Sequence, residues 1–179
     1  MLLLITGASG VGKSKVRELV QGGFARVLDA ADLAEIAGPP EPTPRWRHDA
    51  VERAVQRALD AQRAGRHFLL CGDPVDPAEV VAAPSADRLK GLAVCLLDAS
   101  EDAHRRRLFL RGDDAERMTR HVAHAHWLRA HVVDTRRSPR WTTHVIDTSE
   151  LRDYEVAARV WLWMRRVIGL RARLRVASR

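Results

Sequence analysis

Residues 7–14 constrain this chain more than any other stretch. They read Gly7-Ala8-Ser9-Gly10-Val11-Gly12-Lys13-Ser14, the pattern G-x-x-x-x-G-K-S. The apolar run Leu2 to Thr6 precedes them, and a helix is expected from about Gly12 to Gln21. A loop of this composition between a strand and a helix is a phosphate cradle. Its glycines reach backbone torsions that a Cβ would block. Consecutive N–H groups then converge on phosphate oxygens. The amino end of the helix adds positive potential. Lys13 is expected to reach the β- and γ-phosphates, and Ser14 to offer its hydroxyl to Mg²⁺. All eight residues are candidates for nucleotide contact, and Lys13 for catalysis as well.

The remainder reads as alternating apolar strands and helices. Strands are expected at Leu2–Thr6, Phe24–Leu28, His67–Cys71, Leu92–Leu97 and Thr142–Ile146. Gly22-Gly23 is expected to end the first helix, and Asp29–Ala37 to form a short turn-helix closed by Gly38. Pro39 to Pro44 reads as a stiff connector. Apolar spacing predicts helices over Asp49–Arg63, Ala99–Leu110, Asp114–Val132 and Arg152–Val167. The segment Asp73–Arg88 reads as a proline-punctuated loop with one helical turn. Such alternation favours a parallel sheet covered on both faces, a three-layer α/β domain over residues 1–166.

Composition narrows the partners. The 179 residues are 46% hydrophobic and 30% charged, which suits a globular chain. No apolar run approaches the ~18 residues of a membrane span. Met1 to Gly7 lacks a basic leader region and reads as a strand. Cys71 and Cys95 both lie in apolar runs and form no pairing framework, so a cytoplasmic location is expected. The net charge of +7 is concentrated: Arg165, Arg166, Arg171, Arg173, Arg175 and Arg179 stand near the carboxyl end without an acid among them. The body is close to neutral, so residues 167–179 read as a basic tail and no specific nucleic-acid partner is expected. A monomer and a homodimer are equally compatible.

The chain contains no asparagine, so the N-K-x-D segment with which GTPases read guanine cannot exist. The LSGGQ signature of transporter ATPases is also missing. With its loop followed by alternating strands and helices, the chain resembles the P-loop small-molecule and nucleotide kinase family. It is most similar to gluconate and shikimate kinases, and to chloramphenicol phosphotransferase-like and tunicamycin-resistance-like members. The resemblance implies a P-loop NTPase fold with a five-stranded parallel sheet in the order 2-3-1-4-5. It also implies ATP with Mg²⁺ as donor and a mobile helical lid, here about residues 107–132.

Further candidates come from the strand ends. The family places an acid after strand two, facing the γ-phosphate. Here Asp29 and Asp32 lie in Val27-Leu28-Asp29-Ala30-Ala31-Asp32. Either could take the acceptor's proton, and Asp29 could hold Mg²⁺ through water. Cys71 occupies the position of the aspartate that ends strand three in nucleotide kinases, whereas the sugar-acid kinases carry a cysteine- or serine-bearing stretch here, which the chain resembles more. Asp73, two residues later, is a candidate for acceptor hydroxyls or outer-shell Mg²⁺, and equally a turn residue before Pro74. Asp98 mimics a metal-binding aspartate but stands at a helix start, where it or Ser100 would serve as a cap. Arg107 and Arg111, at i and i+4 before Gly112, resemble the phosphate-clamping arginines at a lid. Arg117 and Arg120 share a face beyond the break. In the family the adenine lies near a lid arginine and the loop after strand five, here Asp147 and Thr148. His121, His124, His126 and His131 lack the spacing of a shared metal site. Arg45, Trp46, Arg47 and His48 could stack on an acceptor ring, pair with an anion, or anchor the next helix.

The function expected is an ATP-dependent phosphotransferase acting on a hydroxyl of a small molecule: a sugar, sugar acid, nucleoside or antibiotic. The alternatives are a nucleoside or nucleoside-monophosphate kinase, and a nucleotide-binding regulatory module without catalysis.

Overall fold

A computed structural model describes residues 1–24, 26–38, 45–72, 74–134 and 140–176. Asp73 and the connector 39–44 lie outside the described residues. Strands β1 (Leu2–Thr6), β2 (Leu28–Asp32), β3 (His67–Cys71), β4 (Leu92–Asp98) and β5 (Trp141–Asp147) form one parallel sheet in the order β2-β3-β1-β4-β5. This is the P-loop α/β order.

Side chains of a strand alternate between faces, and here both faces are buried. Leu2, Leu4, Phe68, Leu70, Val94 and Leu96 join one core, beneath α3 (Trp46–Arg63). Leu3, Ile5, Leu69, Cys71, Cys95 and Leu97 join the other. That second core is closed by α1 (Lys13–Phe24) and α7 (Asp153–Val176). Uninterrupted apolar strands are the sequence consequence of two buried faces. The short helices α2 (Leu33–Ala37) and α4 (Pro77–Ala82) follow β2 and β3. Helices α5 (Glu101–Leu110) and α6 (Ala115–Asp134) lie between β4 and β5.

The second strand departs from expectation. It spans Leu28–Asp32, not Phe24–Leu28, because α1 runs on through Gly22 and Gly23 to Phe24. Neither glycine has the positive φ that a helix-ending glycine adopts. Gly23 serves packing instead: a Cβ there would lie 3.0 Å from Trp161 Nε1. Trp161 of α7 also meets Phe24, with ring centroids 5.7 Å apart. Gly38 and Gly112 do have positive φ, 70° and 89°, and end helices as expected.

Two other boundaries differ. Leu128 and Val132 of α6 are buried in the α3-side core, so the second half of the region expected as a lid belongs to the body. Helix α7 continues past residue 166 to Val176, and Val167 and Ile168 pack against the second core. The basic segment therefore begins inside a helix. Among the described residues no helix is long and apolar enough to cross a membrane.

Thr6 ends β1 fully buried, and its hydroxyl donates to the Val75 carbonyl at 2.7 Å. This bond ties the strand that leads into the glycine loop to the chain after β3. Thr6→Val keeps the shape and strands a buried carbonyl. It should destabilise the fold by about 1–3 kcal/mol, read as a lower urea midpoint with an unchanged slope.

Candidate active site

The glycine loop is held from behind. Ala8 and Val11 are buried in the second core, which anchors the loop at two points. Gly7 lies so close to β4 that a Cβ would come within 2.4 Å of the Leu97 carbonyl oxygen. Gly10 and Gly12 have φ of 87° and 92°, conformations that favour glycine. Helix α1 starts at Lys13, so the amino-terminal N–H groups of the helix lie at the loop. Lys13 is almost fully buried, and its Nζ donates to the carbonyls of Gly7 and Ala8, both at 2.7 Å.

In front of the loop is a cleft of about 500 Å³ lined by Ser9, Gly10, Gly12, Lys13, Ser14, Asp32, Gly72 and Arg111 among others. The structure thus brings one strand-two aspartate to the loop, and it is Asp32. Asp32 ends β2 beside Cys71 of β3. It is the N-cap of α2: its Oδ1 accepts from Ala34 N at 3.0 Å. Glu35 returns the contact by accepting from Asp32 N, and Arg17 of α1 donates to Glu35 at 2.7 Å. The Arg17 bond, with the Asp32 N–H, holds the Glu35 carboxyl down at about 2. The Asp32 carboxylate lies across Gly72, where a Cβ would fall 1.9 Å from Oδ2. With φ of 97°, Gly72 is fixed as glycine twice over.

Asp29 is not brought to the loop. It stands near the start of β2, at the opposite end of the sheet from the glycine loop, and forms a two-pronged ion pair with Arg66 at 2.6 and 3.0 Å. The reading of Asp29 as base or metal ligand fails because β2 begins four residues later than expected. Burial pushes the Cys71 thiol up to about 12, so it is a protonated core residue. Asp98 ends β4 and pairs with Arg129 at 3.1 Å, while Ser100 caps α5 by accepting from Ala103 N.

Helix α5, with its C-cap residue Arg111, lays three side chains toward the loop and its flank. Arg111 Nη1 donates to Ser9 Oγ at 2.9 Å, and the same guanidinium pairs with Asp113, holding that carboxyl below its usual range. Arg107 donates to Thr148 Oγ1 at 2.9 Å and to the Thr148 carbonyl. Thr148 is fully buried; its N–H and hydroxyl both donate to the Asp98 carbonyl at 2.8 Å, joining the ends of β4 and β5. Asp147 accepts from the Ser149 N–H and hydroxyl, bonds that lower its carboxyl. Arg117 and Arg120 face Asp113 and Glu116 instead of the cleft.

The third side chain is one that sequence reasoning missed. His104 is 2% exposed, and its Nε2 lies 2.7 Å from the Ser9 carbonyl oxygen. Since the carbonyl can only accept, Nε2 carries the hydrogen. A lone histidine in an arginine-rich helix gave no signal. Its one pointer is position: 104, 108 and 111 share a helical face.

A second cleft, of about 380 Å³, adjoins the first at Pro74 and is lined by Arg47, Asp76, Glu79, His124 and Trp127 among others. Arg47 anchors the fold here: it donates to Glu79 at 2.6 and 3.1 Å and to the Pro74 carbonyl. The α6 histidines face separate partners. His121 pairs with Asp113, His126 with Glu101 and His131 with Asp76, while His124 and His131 flank the Trp127 ring.

No protein-family model matches the sequence, and no curated protein sequence matches it. Solved structures do. A sugar kinase from a Janibacter species is 14% identical, with 91% of this chain and 93% of that one aligned and a TM-score of 0.66. A gluconokinase from Sinorhizobium meliloti is 17% identical, with 92% and 91% aligned and a TM-score of 0.57. At these identities the likeness is one of fold, and it extends over nearly the whole of each chain.

The two aspartates should separate cleanly. Asp29→Asn should leave nucleotide affinity unchanged by calorimetry, because an exposed ion pair at the far end of the sheet is all it alters. Gly72→Ala should lower nucleotide affinity or stability, because the Asp32 carboxylate must move from the cleft wall. Thermal unfolding and calorimetry on the same sample distinguish the two effects.

Proposed function

We propose that the chain is an ATP-dependent kinase that transfers the γ-phosphate to a hydroxyl of a small molecule. The observation that carries this reading is the convergence of Lys13, Ser14, Asp32 and Arg111 on one cleft in front of the glycine loop. The chain's likeness in fold to a sugar kinase and a gluconokinase supports the reading.

In this reading the loop amides and the start of α1 bind the phosphates. Lys13 exchanges its loop carbonyls for phosphate oxygens. The Ser14 hydroxyl and the Asp32 carboxylate are both oxygen donors, a set that fits a hard cation such as Mg²⁺. When bound, that ion neutralises charge on the phosphate oxygens. Asp32 accepts the proton of the acceptor hydroxyl as the new O–P bond forms and the bond to the β-phosphate oxygen breaks, releasing ADP. Arg111 balances charge developing on the transferred group. Arg107 and Thr148 border the nucleotide flank, with Asp147 beside them. The lid in this reading is the mostly exposed stretch from about residue 109 to 121, ahead of the buried half of α6.

The adjoining cleft supplies the acceptor site. Its walls carry two carboxylates, Asp76 and Glu79, and one guanidinium, Arg47, each engaged within the fold, Glu79 with Arg47 and Asp76 with His131, which leaves an excess of acceptor oxygens. That lining suits hydroxyl and amine groups better than a carboxylate or a phosphate. The acceptor is therefore an uncharged or amine-bearing polyol, in preference to a sugar acid or a nucleoside monophosphate.

An ADP-release screen over neutral sugars, amino sugars, sugar acids and nucleoside monophosphates tests this. Turnover should concentrate in the first two groups; turnover confined to nucleoside monophosphates would sink the acceptor assignment. Lys13→Ala should abolish ATP binding in a folded protein. Asp32→Asn should lose about 10²–10⁴-fold in turnover while keeping its affinity for ATP measured without Mg²⁺, as for a missing base.

A further inference from the structure

Backbone geometry gives the His104 contact a consequence for the phosphate site. A trans peptide is planar, so its C=O and the following N–H point in opposite directions. The Ser9 carbonyl points at His104 Nε2 on α5. The N–H of the same peptide unit belongs to Gly10, and it must point away from α5. His104 does not line the phosphate-loop cleft; it lines a separate cleft with Glu101, Ala125 and Arg129. Ser9 and Gly10 line the phosphate-loop cleft and His104 does not, so that cleft is the open space into which a Gly10 N–H turned away from His104 can point.

Two further contacts fix the same peptide. Leu108 packs beneath Gly10, where a Cβ would come within 3.0 Å of Leu108 Cδ2. Arg111 holds the Ser9 hydroxyl. His104, Leu108 and Arg111 thus grip Ser9-Gly10 from one face of α5. Burial keeps the His104 ring below its ordinary pKa, aided by the charges of Arg107, Lys13 and Arg111, so it stays a neutral donor.

We infer that His104 is a positioning residue that sets the Ser9–Gly10 peptide, aiming the Gly10 N–H at bound phosphate and coupling the loop to α5. This rests on the reading of residues 7–14 as a triphosphate site. It adds a requirement outside the glycine motif: a donor at position 104 that reaches the Ser9 carbonyl. Because α5 also carries Arg107 and Arg111, displacement of the helix would release the loop peptide together with the arginines. A nucleotide that orders the loop would in turn hold α5 in place.

The test compares His104→Gln with His104→Asn. The Gln amide nitrogen can stand near the place of Nε2 and donate to Ser9, whereas the Asn amide is one methylene too short. Both variants bury an amide in the same pocket, so any general folding defect is shared. The probes are Mg²⁺-ATP and inorganic tripolyphosphate, measured by calorimetry on folded protein. His104→Gln should bind both within about threefold of the wild type, and His104→Asn should bind both about tenfold more weakly, the scale of one hydrogen bond. Equal loss for the base-free probe shows that the effect lies at the phosphates. If His104→Asn binds as the wild type does, or if the two variants lose affinity equally, the inference is overturned while the phosphate site stands. A wild type that binds neither probe overturns the phosphate-site reading and the inference with it.

Discussion

A loop that binds phosphate must leave a run of its own N–H groups without internal partners. Unpaired backbone donors are costly wherever water is excluded, so such an arc does not hold its shape unaided. Here it is held from every side but the front. Ala8 and Val11 are sunk into the core, Gly7 is pressed against the β4 backbone, and Lys13 takes two of the loop's carbonyls. Helix α5 takes a third carbonyl through His104. Carbonyls drawn backward are the complement of N–H groups turned forward. The central place of β1 in the sheet follows from the same need, since a strand flanked by β3 and β4 is the most rigid base from which to launch the loop.

The acidic side of the cleft is held by a relay of local contacts. Arg17, one turn into α1, bonds Glu35; Glu35 bonds the Asp32 N–H; Asp32 caps α2 and leans over Gly72. The helix that follows the glycine loop therefore also orients the carboxylate opposite it. Glu35 is half-exposed, so water screens its pair with Arg17 and the contribution to stability is modest. Its sign is definite. A carboxyl lowered in the folded state stabilises above its ordinary value near 4.5, and that support is lost as pH falls toward about 2. The relay should thus be a feature of neutral pH that weakens in acid.

How far the sequence could be read depended on whether a signal was local. The loop, the apolar strands β1, β3 and β4, and the helix ends at Gly38 and Gly112 each announce themselves in a few adjacent residues. β2 does not. Its five residues, Leu-Asp-Ala-Ala-Asp, carry two charges, and one of those charges is neutralised by Arg66, distant in sequence. Gly22-Gly23 resembles a helix end, yet Gly23 is small because Trp161 of α7 lies against it. His104 and Gly72 were invisible for the same reason: each is defined by a contact with a residue far along the chain.

The choice between the two aspartates shows how much one such boundary decides. In a parallel α/β sheet, ligands gather beyond the carboxyl ends of the strands. Had β2 run from Phe24 to Leu28, Asp29 would have been the first residue past that edge. With α1 extended to Phe24, the strand slides four residues along the chain, and Asp29 falls near the edge away from the loop. Asp32 then arrives at the functional edge, paired in register with Cys71. The next residue of the neighbouring chain segment, Gly72, must then be small enough to lie under a carboxylate, and no other residue type meets both its φ and its space. Cys71 is accommodated by the same arrangement. Its thiol is buried and protonated, and the negative charge at this edge of the cleft comes from the adjacent strand.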